Sequence, residues 1–167
     1  KAGMLNMYKN PRIDGFTTNP TLMRKAGITD YISFAKEILQ TIDDKPVSFE
    51  VFADEFEEME RQAREIATWG SNVYVKIPVT NTKKMSSASL IKKLSAEGVQ
   101  LNITAILSLE QVQVIANALE NGSSAFVSVF AGRIADTGVD PVPLMKRALG
   151  ILKPVSNAEL LWASPRE

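Results

Sequence analysis

The sequence predicts an α/β fold built on parallel strands, and within that class a (β/α)8 TIM barrel represented by about six βα units. Three observations lead there. β-branched apolar runs alternate with longer stretches of helical period, at intervals of about 25–35 residues, room for a strand, a helix and two short loops. Neither a Gly-x-Gly-x-x-Gly turn nor a P-loop occurs, so the usual phosphate-binding turn of a doubly wound sheet is missing. Finally, strands buried on both faces of a parallel sheet should be almost continuously apolar, yet nearly every strand candidate here carries polar residues at i and i+2, on one face and near its C-terminal end. A single such residue has a plain explanation as a satisfied buried group or an edge residue facing water. Six strands doing so together describe the catalytic mouth of a barrel.

The elements follow in order. Asp14–Asn19 is the first strand candidate and presents Thr17 and Asn19. The helix after it carries Ile32, Ala35, Leu39 and Ile42 at i, i+3, i+7 and i+10. Pro46–Phe52 presents Ser48 and Glu50. The next helix is predicted to open on Asp54-x-x-Glu57, an N-cap with an acidic N3, and to bury Phe56, Met59, Ala63 and Ile66. Val73–Val79 presents Tyr74 and Lys76, and a helix with Leu90, Ile91 and Leu94 stops at Gly98 as its C′ residue. Val99–Leu107 presents Asn102 and Thr104. Ser108-x-x-Gln111 then opens a helix with Val112, Ile115 and Leu119 that stops near Gly122. Ala125–Ala131 places Ser128 before Phe130, and Asp140–Pro141 starts a helix burying Leu144, Ala148 and Leu152. Glu159–Ser164 is the last strand, with Ser164 and Arg166 on one face. No linker or composition shift divides the sequence, so residues 1–167 read as one partial barrel domain.

Composition narrows the chemistry. Of 167 residues 45% are hydrophobic and 23% charged, proportions of a globular chain with a substantial core. Nineteen Lys and Arg balance nineteen Asp and Glu, and no basic run follows a phosphate backbone, so no nucleic-acid partner is expected. No apolar run approaches the ~18 residues of a membrane span and Lys1 to Asn10 hold no signal-peptide core, so no membrane partner is expected either. The sequence has no His and no Cys. That removes disulfides, Cys/His zinc sites, thiol nucleophiles and imidazole bases.

Lys76 is the sharpest remaining feature. It lies within Val73-Tyr74-Val75-Lys76-Ile77-Pro78, where an ammonium facing inward is costly unless its pKa falls or a partner neutralises it. A desolvated lysine is an amine nucleophile; a strand-end lysine reaching out to water is the plainer alternative. Schiff-base chemistry would also need proton movers, hydroxyl donors and an anion clamp. Glu50 can hold a water or move protons, Asn19, Asn102 and Thr104 can bind hydroxyls, and Arg133 and Arg166 can take a phosphate in bidentate fashion. Two simpler pairings stay open: Glu50 merely keeping Lys76 charged, and Arg133 held by Asp136.

Five segments in family order resemble the signature segments of transaldolases, most closely the small single-domain group that includes the fructose-6-phosphate aldolases. They are Gly15-Phe16-Thr17-Thr18-Asn19-Pro20-Thr21-Leu22, Val73-Tyr74-Val75-Lys76-Ile77-Pro78, Leu101-Asn102-Ile103-Thr104, Ser128-Val129-Phe130-Ala131-Gly132-Arg133 and Trp162-Ala163-Ser164. The resemblance implies transfer of a dihydroxyacetone unit between sugar phosphates. It makes Lys76 the Schiff-base lysine and gives Glu50 and Thr104 the catalytic water. Asn19, Asn102 and Ser128 then hold hydroxyls, with Thr17 and Phe130 in the substrate-binding set, while Arg133, Ser164 and Arg166 bind phosphate. Glu at 50 and Phe at 130, where plain aldolases are expected to carry Gln and Tyr, favour transfer over cleavage. No metal or organic cofactor is implied, because a protonated imine is itself the electron sink, and a cytoplasmic location is implied.

The resemblance further implies an opening strand ending in an acid/base Asp before Lys1, and an eighth strand with its helix after Glu167. The sequence would then hold units two to seven. A six-stranded piece leaves two edges, so a homo-oligomer of weak activity is expected. Simple retro-aldol cleavage and a non-catalytic barrel fragment are the alternatives.

Overall fold

Residues 2–165 are described by a computed structural model. Its centre is one parallel sheet of β1 (Phe16–Thr17), β2 (Val47–Glu50), β3 (Val73–Pro78), β4 (Leu101–Ile106), β5 (Ala125–Val129) and β6 (Ala158–Trp162), hydrogen-bonded in sequence order. The helices are α1 (Ala2–Tyr8), α2 (Pro20–Lys25), α3 (Tyr31–Leu39), α4 (Phe56–Ala67), α5 (Ala88–Ala96), α6 (Leu109–Leu119), α7 (Ala131–Ala135) and α8 (Val142–Leu152). Successive parallel strands with helical crossovers give the arrangement of an incomplete TIM barrel, with β1 and β6 as the outer strands of the described sheet.

The sheet curls. Asn102 on β4 reaches Ser48 on β2 with a 2.9 Å hydrogen bond across the intervening β3. Strands two apart in a flat sheet are about 9.5 Å apart, so two short side chains meet only on a concave face. Period-two alternation sorts the residues between that face and the helices. Val47, Phe49, Val75, Ile77, Leu101, Ile103 and Val127 are all sealed from water on the outer face. They join Ala35, Ile38, Met59, Ala63, Ile91, Leu94, Ile115 and Leu119 of the helices in one core. Ser48, Glu50, Lys76, Asn102, Thr104 and Ser128 are left on the inner face. A bulge adjusts β4: Ile103 pairs with Val127 but Ile106 with Val129, one extra residue on β4, and Ala105 takes φ +62°. The insertion returns Ile106 to the outer layer, so Thr104 is the last inward polar residue of its strand.

All six strand candidates exist, each shorter than the sequence outlines it. β1 is trimmed furthest because Pro20, the first residue of α2, has no N–H for the next rung. On α3 the buried side is Phe34, Ala35, Ile38 and the following Ile42, whereas Ile32 is 42% exposed and Leu39 half-buried. The predicted stripe is therefore rotated by about one position; Tyr31, at i−3 from Phe34, completes the true face. Asp54 does not cap α4. Glu55 is the N-cap residue, and Asp54 instead accepts hydrogen bonds from the Thr82 amide at 2.8 Å and hydroxyl at 2.6 Å. The loop after β3 supplies two donors that outcompete the helix end. Pro141, not Asp140, is the N-cap residue of α8; Asp140 stands one residue before it and accepts from the Val142 amide at 2.9 Å, while Leu144 is only half-buried. Gly122 lies past the end of α6 at Leu119, and a Cβ there would sit 2.0 Å from Ser95 Oγ. It permits the close approach of the loop after α6 to the last turn of α5 rather than ending a helix. The short helices α1, α2 and α7 have too few periodic positions to show in the sequence.

The capping box at Ser108 and Gln111 forms in both directions. Ser108→Ala should cost about 1 kcal/mol, as loss of an N-cap side chain does. Urea unfolding should show a lower midpoint at unchanged slope.

Candidate active site

Five neighbouring strands deliver their inner-face ends to one cavity of about 1190 Å³, completed by the end of β6 and the loop after it. Lys76 lies at its floor, 9% exposed, with hydrophobic Val75 and Ile77 beside it in the strand and fully buried. Its Nζ is 3.3 Å from Glu50 Oε2 and 3.5 Å from the Thr18 carbonyl oxygen. The register dictates the first contact: Glu50 and Lys76 are direct partners between β2 and β3, so two inward side chains leave adjacent backbone positions. Lys76 is therefore paired in the interior and does not reach out to solvent. Burial pushes the Glu50 carboxyl above its ordinary value, and the Lys76 charge opposes that rise without cancelling it.

Asn102, completely buried, donates through Nδ2 to Ser48 Oγ at 2.9 Å and accepts from the Ser128 hydroxyl at 2.7 Å. Three strands are tied by this chain, and the amide plane beside Lys76 is set by it. Thr104 differs. Its Oγ1 is buried and has no hydrogen-bond partner among the described residues. A hydroxyl in that condition, on a cavity wall, is a place for a water or a substrate hydroxyl.

Around the mouth, Thr17, Asn19, Phe130, Arg133 and Ser164 all line the cavity. Asn19 is partly engaged, its Oδ1 capping α2 at the Leu22 amide, 2.9 Å away. Arg133, on the short α7, is exposed. Ser164, in the loop after β6, takes φ +54° and lines the cavity. Arg166 lies outside the described residues.

A profile described as transaldolase/fructose-6-phosphate aldolase matches residues 2–167. The chain belongs to this family. A probable transaldolase from Dehalococcoides mccartyi is 43% identical over 141 residues, 84% of this chain and 62% of that protein. One from Lactiplantibacillus plantarum is 37% identical over 155 residues, 92% of this chain and 67% of that protein. One from Streptococcus agalactiae is 39% identical over 134 residues, 80% of this chain and 58% of that protein. The chain thus spans 58–67% of the length of these three family members. Among the described residues no helix is long and apolar enough to cross a membrane.

The sequence pattern brought ten of the eleven expected residues to this family member's cavity, the eleventh being Arg166. It passed over Arg24 of α2, which lines the cavity, and Tyr31 of α3, which does not line it but accepts from the Glu50 amide. Tyr31 had one available signal, its place at i−3 and i−7 from Phe34 and Ile38 directly after a helix cap. Nothing in the local sequence marks Arg24.

Because its folded pKa is raised, Glu50 contributes stability that is complete below about pH 4.3 and lost as the pH rises through the raised value. Urea unfolding of the wild type and Glu50→Gln over a pH series reads this directly. The wild type should lose stability relative to the non-titrating variant across that window. A relative gain with rising pH would mean that Lys76 outweighs burial.

Proposed function

We propose that the protein is a transaldolase that moves a dihydroxyacetone unit from a ketose phosphate to an aldose phosphate through a Schiff base on Lys76. The observation that carries this reading is a nearly buried lysine amine in contact with one carboxylate at the floor of a polar cavity. The neighbouring proteins named probable transaldolases, and the family itself, point the same way.

The amine passes its proton to the Glu50 carboxylate across their 3.3 Å contact and attacks the ketose carbonyl. The resulting carbinolamine loses its hydroxyl as water, with Glu50 returning a proton through a water held at Thr104 Oγ1, to leave a protonated imine. Cleavage of the C3–C4 bond sends its electron pair into the imine and releases the aldose phosphate as the C4 hydroxyl gives its proton to the Glu50 carboxylate, which returns it to the acceptor's carbonyl oxygen in the addition step. The enamine then adds to the acceptor aldehyde, and hydrolysis frees Lys76. Asn102, Ser128, Asn19 and Thr17 hold the hydroxyls of the three-carbon unit, and Phe130 walls it. Arg133, Ser164 and Arg166 bind the phosphate.

Two measurements test the reaction. Borohydride reduction with fructose 6-phosphate should add a stable mass to the wild type and none to Lys76→Ala or Lys76→Arg, since a guanidinium does not deprotonate to act as nucleophile. Equal labelling of a variant refutes the assignment. Transfer to erythrose 4-phosphate should then exceed release of free dihydroxyacetone; the reverse ratio would make the protein a retro-aldolase.

The anion clamp has its own test. Arg133→Ala should weaken use of phosphorylated substrates by about 1.5–3 kcal/mol while sparing free dihydroxyacetone. Equal loss for both would make the arginine structural.

A further inference from the structure

The ladder between β1 and β2 stops one bond early. Thr18 donates its amide to the Ser48 carbonyl at 2.9 Å, and the next bond of a parallel ladder would run from the Glu50 amide to the Thr18 carbonyl. That bond is not made. The Glu50 amide donates instead to the Tyr31 hydroxyl at 3.0 Å. The same hydroxyl lies 3.0 Å from Thr18 Oγ1, whose single proton goes to the Ser48 carbonyl at 2.9 Å. Tyr31 must therefore donate to Thr18. The chain runs from Glu50 N–H to Tyr31, to Thr18, to the Ser48 carbonyl, linking α3, β1 and β2. Burial pushes the Tyr31 pKa above its ordinary range, so the hydroxyl keeps the proton it donates. The ring is held edge-on by Phe49 at 5.9 Å, Phe52 at 4.8 Å and Trp69 at 6.0 Å.

We propose that Tyr31 is a positioning residue for the Lys76 amine: by capturing the Glu50 amide it releases the Thr18 carbonyl to face Nζ and fixes the backbone from which the Glu50 carboxylate reaches the same atom. A neutral primary amine has two N–H bonds and one lone pair. With a Glu50 carboxyl oxygen at 3.3 Å and the Thr18 carbonyl at 3.5 Å accepting the two N–H bonds, the lone pair takes the remaining tetrahedral direction. Without the tyrosine hydroxyl, the Glu50 amide closes onto the Thr18 carbonyl, the amine loses one of its two acceptors, and the lone pair is no longer directed. The inference rests on the reading of Lys76 as the nucleophile, and it concerns what makes that nucleophile effective.

Tyr31→Phe keeps the ring and deletes only the hydroxyl. The readout is the limiting rate at which acetic anhydride acylates Lys76, followed by peptide mass spectrometry over a pH series, with exposed Lys84 and Lys92 as internal references. The rate should fall about tenfold in Tyr31→Phe, as expected for a misdirected reacting group, while the reference lysines are unchanged. Thr18→Val cuts the same chain from its other side and should give a similar fall, and the double variant no further one. Ser108→Ala, destabilised far from the cavity, controls for stability: a purely structural role for Tyr31 predicts that it and Tyr31→Phe leave Lys76 equally reactive. Unchanged acylation in both Tyr31→Phe and Thr18→Val overturns the proposal, and each variant serves alone should the other not fold. Acylation needs no sugar. Failure of wild-type borohydride trapping with dihydroxyacetone would therefore sink the Schiff-base reading and leave this comparison intact.

Discussion

The contact between Lys76 and Glu50 sets the terms for the rest of the molecule. A buried amine and a buried carboxyl each lose their hydration, and neither is tolerable in an apolar layer without the other. The pair exists because β2 and β3 run parallel in a register that sets the two residues opposite each other on the concave face. A one-residue slip of either strand would send its charge into the packed helices and its apolar neighbour, Phe49 or Ile77, into the cavity. The burial of Val47, Phe49, Val75 and Ile77 against α3, α4 and α5 is what makes such a slip prohibitive. The hydrophobic layer thereby holds the reactive groups in place without touching them.

Around this pair the polar groups divide into those already engaged and those left open. Asn102 and Ser128 hold one another, Asn19 caps α2, and Thr18 completes a chain through Tyr31. These groups keep their orientation without a ligand, which lowers what binding must spend on ordering them. Thr104 Oγ1 is not engaged among the described residues, and the exposed Arg133 lines the cavity. One sits on the cavity wall and the other at its mouth, the positions suited to a water or hydroxyl and to an anion. Burial raises the Glu50 pKa, so its carboxyl holds a proton to higher pH than an exposed glutamate does.

The legible parts of the structure are those with a local period. Strand alternation identified the inward residues Ser48, Glu50, Lys76, Asn102, Thr104 and Ser128, and the helical stripe of α6 with its Ser108 box is as the sequence reads. Failures came where a distant group competed for a local one. Asp54 looks like a helix cap until Thr82 arrives from another loop, and Gly122 looks like a helix stop until Ser95 approaches it. Ile32 fits the apolar spacing of α3 as well as Tyr31 does. Which of them turns inward depends on the acceptors and rings waiting on β1 and β2, and these are invisible from the helix alone.

The order of residue types along the sequence was enough to establish parallel βα units, an inner polar face, an inward lysine on β3 and the family to which the chain belongs. Periodicity and motif order survive in one dimension because they arise from backbone geometry repeated every two or 3.6 residues. Contacts between Glu50 and Lys76, between Asn102 and Ser48, and between Tyr31 and both Thr18 and Glu50 join residues 13 to 54 positions apart. Those depend on register, on the curl of the sheet and on the bulge at Ala105. No local spacing encodes them, because each is settled by how whole layers pack.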